Sequence, residues 1–128
     1  MGNRHEGVNQ SLEREQERRA VKRSVKAVPE RVALWFSIID ESNISEKMKK
    51  ELKDLFTGHV LAITPKDESY ARPGAFRTVN EYLSGAEDLL WRICAENMAN
   101  DGDKENLPAV YQNIKSDIEA LKVELYAE

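Results

Sequence analysis

The chain has 128 residues, 41% hydrophobic and 33% charged, with a formal net charge of −4. That length suffices for one domain with its own core, and no apolar run approaches the ~20 residues of a membrane span. A single cysteine, Cys94, excludes an intramolecular disulfide and suits a reducing compartment, so cytoplasmic residence, in a cell or in a host cell, is the expectation.

The charge is unevenly spread. Residues 1–31 hold eight Lys/Arg against five Asp/Glu, and the remainder holds eleven against eighteen. Such asymmetry points either to a basic arm for an anionic partner or to a basic helix resting on its own acidic body.

Residues 1–9 are polar, carry two glycines and read as a flexible tail ahead of a single helical domain over 10–128. Ser11 has the chemistry of an N-cap, and the acidic residues Glu13 to Glu17 fall where a helix dipole favours negative charge. A first helix is predicted over 10–28. Arg18, Arg19, Lys22, Arg23 and Lys26 wrap one broad side of it, opposite Val21, Val25 and Val28. Amphipathic and basic, it is a candidate for gripping nucleic acid or an acidic protein. A membrane surface is a poor match, because the apolar side has no Trp, Phe or Leu to insert.

Pro29 suits the first turn of a new helix over 29–40. The valine stripe continues in phase through Val32, Trp35, Phe36 and Ile39, however, so one kinked helix fits the pattern as well. The run Val32 to Ile39 is apolar nearly all round and reads as deeply buried.

Asp40 to Asn43 break the pattern, and Ser45 caps a helix predicted over 45–63. Its stripe is Met48, Leu52, Leu55, Phe56, His59 and Ile63, which makes His59 a core histidine with a hydrogen-bond partner. No second His or Cys stands at ligand spacing, so no metal site is expected. Residues 64–74 form the longest loop. Its Tyr70 and Arg72, with Arg77 beyond it, would suit an anionic small ligand or nucleotide near a helix N-terminus.

The stretch 75–99 is the organising helix. Phe76, Val79, Leu83, Ala86, Leu90 and Ile93 mark a face, which Tyr82 and Leu89 widen on one side and Trp91, Cys94 and Met98 on the other. The apolar arc spans roughly 200°, about twice what a helix lying on one core needs. Asn80, Glu87, Trp91 and Cys94 share a ridge, and that ridge is the candidate partner surface, since aromatics are enriched at interface hot spots. Gly85 lies mid-helix with no evident return for its propensity cost of up to ~1 kcal/mol.

Residues 100–106 are an acidic turn. They fail as a calcium loop, because the sixth position from Asp101 is Asn106 rather than Gly and the twelfth is Gln112 rather than Glu. Asn106 reads as an N-cap and Pro108 as a first-turn residue of a last helix over 107–127. Leu107, Tyr111, Ile114, Ile118, Leu121 and Leu125 form a heptad seam there, facing either the central helix or another copy of the chain. Val123 and Tyr126 lie off the seam and add apolar surface to the candidate interface.

No Gly-rich phosphate loop, nucleophile–histidine set or His-carboxylate metal motif is present. The expectation is an all-α bundle of four to five helices, up-down, with no cofactor and no catalytic residues. Its function would be that of a small regulatory or accessory protein, such as viruses and mobile elements encode, acting by binding a macromolecule and forming homo-oligomers through its C-terminal helix.

Overall fold

The computed structural model describes the backbone of residues 3–64 and 78–128, and the side chains from Leu12 onward within those spans. Among the described residues, four helices make up an all-α bundle: α1 (Asn3–Glu41), α2 (Glu46–Phe56, prolonged by a π-helical turn at Thr57–Leu61), α3 (Val79–Glu96) and α4 (Leu107–Tyr126). No strand occurs among the described residues.

Side-chain contacts fix the directions. α2 starts just past the end of α1, and its last residue, Phe56, packs on Trp35, further back along α1, so α2 descends along α1. Glu17 of α1 meets the start of α3 at Val79, so α3 climbs parallel to α1. Tyr126 at the end of α4 reaches back to Glu17, and Asn106 at its start donates to the Asn43 carbonyl at 2.8 Å, so α4 descends. The order is up-down-up-down.

α1 is one helix of 39 residues with Pro29 inside it: of the two readings open at Pro29, a new helix over 29–40 does not occur and the single helix does. Ala20, Ser24, Val28, Val32, Trp35 and Ile39 form one continuous buried stripe, while Pro29 and Glu30 face out. A proline inside a helix costs about 3 kcal/mol. Burying each large apolar side chain returns about 1.5–3 kcal/mol, so the stripe outweighs the proline several-fold. The backbone is already helical at Asn3, so α1 opens ahead of residue 10, where the first helix was expected to start, and Ser11 is not an N-cap. The run Val32 to Ile39 is buried on one side only; Ala33, Leu34 and Ser37 face solvent.

Ser45 caps α2 as expected, its Oγ accepting the Met48 N–H at 3.2 Å. The partner that organises this corner is Asp103, which is fully buried. Its Oδ1 accepts the Ser45 N–H at 2.6 Å, and its Oδ2 accepts the Ser45 hydroxyl at 2.9 Å and the Asn100 amide at 3.0 Å. A carboxylate at a helix N-terminus is favoured by the dipole and by the unpaired N–H groups there.

The π turn corrects the placing of His59. Its wider winding shifts the angular position of each residue in it, so Val60 occupies the core position and His59 is exposed. Thr78 is extended and caps α3 by accepting the Glu81 N–H at 3.0 Å, so the helix expected from residue 75 opens at Val79. Asn106 makes no side-chain cap to α4; its amide ties down the preceding α1–α2 turn instead.

Trp35 and Phe56 meet at the centre, ring centroids 5.0 Å apart. The heptad row of α4 faces this core: Leu107, Ile114, Ile118, Leu121 and Leu125 are essentially inaccessible. The seam is therefore occupied by its own chain, and self-association through that row is not open to it.

Candidate functional site

The polar side chains sort into those that lock the bundle and those that decorate an open face. The strongest lock joins α1 to α4. Arg31 donates from Nε and Nη2 to the two oxygens of Asp117 at 2.8 and 2.7 Å, and from Nη1 to Glu124 at 2.6 Å. The Trp35 indole N–H donates to the same Asp117 at 2.6 Å. Burial pushes the Asp117 carboxyl upward, but the bonds from Arg31 and Trp35 and the guanidinium charge outweigh it and hold the group below the usual carboxylate range. Arg31 is raised in turn, chiefly by its bonds to Asp117.

Two of the five basic residues proposed for nucleic acid serve a second lock. Arg23 donates to the carbonyls of Glu124 and Leu125 at 3.0 and 3.2 Å and also to that of Ala127, which Arg19 reaches at 3.4 Å. These are carbonyls that the end of α4 leaves without helical partners, and a cation there also meets the negative end of the dipole. Arg18, Lys22 and Lys26 point outward. The basic helix thus rests in part on its own body.

A third lock fastens the start of α3. Glu17 accepts the Val79 N–H at 3.0 Å and the Tyr126 hydroxyl at 2.6 Å, and that hydroxyl accepts the Asn80 N–H at 3.0 Å. Burial, with Glu17 adding to it, pushes the Tyr126 phenol well above its ordinary range. Tyr126 and the backbone of Asn80 therefore hold the bundle together, while the Asn80 side chain remains exposed.

The open face is the outer side of α3 and α4. Glu87 lies half sunk between them, 2.8 Å from the Lys122 ammonium, which also stands 3.5 Å from Glu119. Burial raises the Glu87 carboxyl, and Glu119 beside it adds to the effect against Lys122. One turn further, Trp91 is 59% exposed and Met98 39% exposed. Trp91 stands between two depressions. One of about 450 Å³ is lined by Glu87, Asp88, Arg92, Tyr111 and Lys115. The other, of about 280 Å³, is lined by Cys94, Ala95, Met98, Pro108, Tyr111 and Gln112. At the far end of the face Val123, 72% exposed, borders an open groove shared with Glu13, Glu119 and Tyr126.

Of the predicted ridge, then, Trp91 is open, Glu87 is paired beside it, Asn80 lies on the rim, and Cys94 is buried with its thiol raised to about 11 by that burial. Tyr70, Arg72 and Arg77 lie outside the described residues. Among the described residues no group of three or more His, Cys, Asp and Glu could hold a metal ion, and no helix is long and apolar enough to cross a membrane. Sequence reasoning missed Arg31, Asp117, Asp103 and Glu17 as bundle-locking residues. Asp117 and Asp103 stand one residue from Ile118 and in an acidic turn, and nothing in their own neighbourhood marks the distant donors they meet.

Comparison with protein-family models, with curated proteins and with solved structures finds no match to this chain.

Proposed function

We propose that the protein is a non-enzymatic interaction module that docks a protein partner on the outer face of α3 and α4 and regulates it as a small accessory factor. The observation that supports this is Trp91, a large aromatic left 59% exposed in a chain whose other tryptophan is fully buried. Exposing an indole forgoes roughly the 1.5–3 kcal/mol that burying a large apolar side chain returns, a loss that a partner's surface recovers. Met98 and Tyr111 extend the apolar area, Met98 adaptably because its thioether chain is flexible. Asp88, Arg92 and Lys115 surround it with the polar rim typical of transient interfaces. The buried, unreactive thiol of Cys94 fits a reducing compartment such as the cytoplasm.

The test is paired capture with immobilised wild-type, Trp91→Asp and Leu34→Asp proteins, Leu34 being a 46% exposed leucine on the opposite helix α1. Partners held by wild-type should be lost from Trp91→Asp and kept by Leu34→Asp. Retention by Trp91→Asp would refute the docking face.

A further inference from the structure

We infer that the occupant of this face is a second copy of the same chain, related by a two-fold axis that crosses α3 between Asp88 and Arg92. The inference rests on the docking reading above and narrows it to one partner.

Three features of the face favour self-association. The first is its charge. The 450 Å³ depression is lined by two carboxylates, Glu87 and Asp88, and two cations, Arg92 and Lys115, so it is locally neutral in a chain of net charge −4. Two copies repel each other least when they meet there.

The second is self-complementarity. In an isologous contact each element meets its own counterpart running the other way. An antiparallel crossing of two α3 helices about the midpoint of Asp88 and Arg92 sets Asp88 of each copy against Arg92 of the other. It brings the two exposed Trp91 indoles together at the centre, as an aromatic pair. Gly85 then falls opposite Ala95 and Ser84 opposite Glu96, and the small side chains let the helix axes approach to ~8 Å. The outward α3 positions Glu81, Ser84, Asp88, Trp91 and Ala95 repeat at three and four residues, the spacing of a helix–helix seam.

The third is size. The 18 residues of α3 span roughly 27 Å. Two helices abreast, at ~10 Å each, offer about 500 Å² per copy, or about 1,000 Å² in total. That lies at the low end of specific interfaces, so a dimer with Kd of about 1–100 µM is expected rather than a permanent one.

Sedimentation velocity on the full chain between about 1 and 300 µM tests this, with circular dichroism to confirm that each variant is folded. The wild type should move from 14.6 kDa monomer toward dimer across that range. Trp91→Glu and Ala95→Arg, both at exposed positions, should stay monomeric throughout. Asp88→Arg and Arg92→Asp alone should each weaken the dimer about tenfold or more by opposing like charges. The double swap should restore it to within about threefold of wild type. A wild type that stays monomeric to 300 µM, a dimer that survives Trp91→Glu, or a swap that fails to restore would each overturn the proposal. Should the chain prove monomeric while Trp91-dependent capture of another protein persists, the docking face stands and only its assignment to a second copy falls.

Discussion

The indole of Trp35 and the carboxylate of Asp117 meet at 2.6 Å across the α1–α4 interface, so the largest residue of the core also makes a charge-assisted hydrogen bond. Arg31 closes the same carboxylate from the other side at 2.7 Å. Replacing Asp117 by Ala leaves an indole N–H without an acceptor and a half-buried guanidinium without its main partner. Loss of about 2–3 kcal/mol is expected, less than for a fully buried pair because both side chains are about one-fifth exposed. Urea titration of the two proteins measures it.

The same pair sets an acid limit. The folded-state Asp117 carboxyl lies below its ordinary value of 3.8, so its stabilisation is present above that value and is lost as pH falls through the lowered folded one. The stability difference between wild type and Asp117→Asn should therefore be constant near neutrality and shrink below about pH 3.8. A difference that persists unchanged at pH 2 would show that the carboxylate's charge plays no part.

Glu87 behaves oppositely. Its folded carboxyl is raised above 4.5, chiefly by burial, so the stability linked to its proton is present below that value and is lost as pH rises through the folded one. Glu87→Gln keeps the shape and cannot ionise. Its stability relative to wild type should rise as pH climbs from 4.5, read from paired melting curves across pH 4–8.

Arg23 and Lys26 sit three residues apart on the basic helix, with different roles. Arg23→Gln removes donors from the carbonyls at the end of α4 and should lower stability by about 1 kcal/mol. Lys26→Gln, at an exposed position, should stay within about 0.5 kcal/mol of wild type. Equal effects would mean that the basic run acts only as a diffuse field.

Gly58 lies in the π turn, where a Cβ would meet nothing within 4 Å beyond its chain neighbours and its own helical backbone, and no described glycine has positive φ. Gly58→Ala should stabilise the protein by about 0.5–1 kcal/mol through the unfolded chain's lost freedom. A destabilised variant would contradict the helical backbone assigned to Thr57–Leu61.

Helix periodicity made the class and most of the buried residues legible in advance: Met48, Leu52 and Leu55, Val79, Leu83 and Leu90, and the α4 row except Tyr111, which is half-buried on the open face while Val110 beside it enters the core. Boundaries were legible where a cap was local, as at Ser45. They were not where tertiary contacts decided. Pro29 looks like a break until the continuous stripe from Ala20 to Ile39 is seen to outweigh it. His59 looks like a core residue until a π turn, which no local pattern announces, moves Val60 into its place. On the candidate site, the surplus apolar arc of α3 was legible and Trp91 is its open part. Which polar groups of that ridge are tied inside the bundle, such as Tyr126 to Glu17 across 109 positions, depends on partners that periodicity cannot pair.

Site-specific photocrosslinking tests the docking face most directly, with the reactive group placed at position 91 in one protein and at position 34 in another. Position 91 should give discrete adducts, a dimer of the chain among them, that excess unlabelled wild type competes away and excess Trp91→Glu does not. Position 34 should give none of these. Identical adduct patterns from the two positions, or equal competition by Trp91→Glu, would contradict the assignment of the α3–α4 face as the surface through which this protein acts.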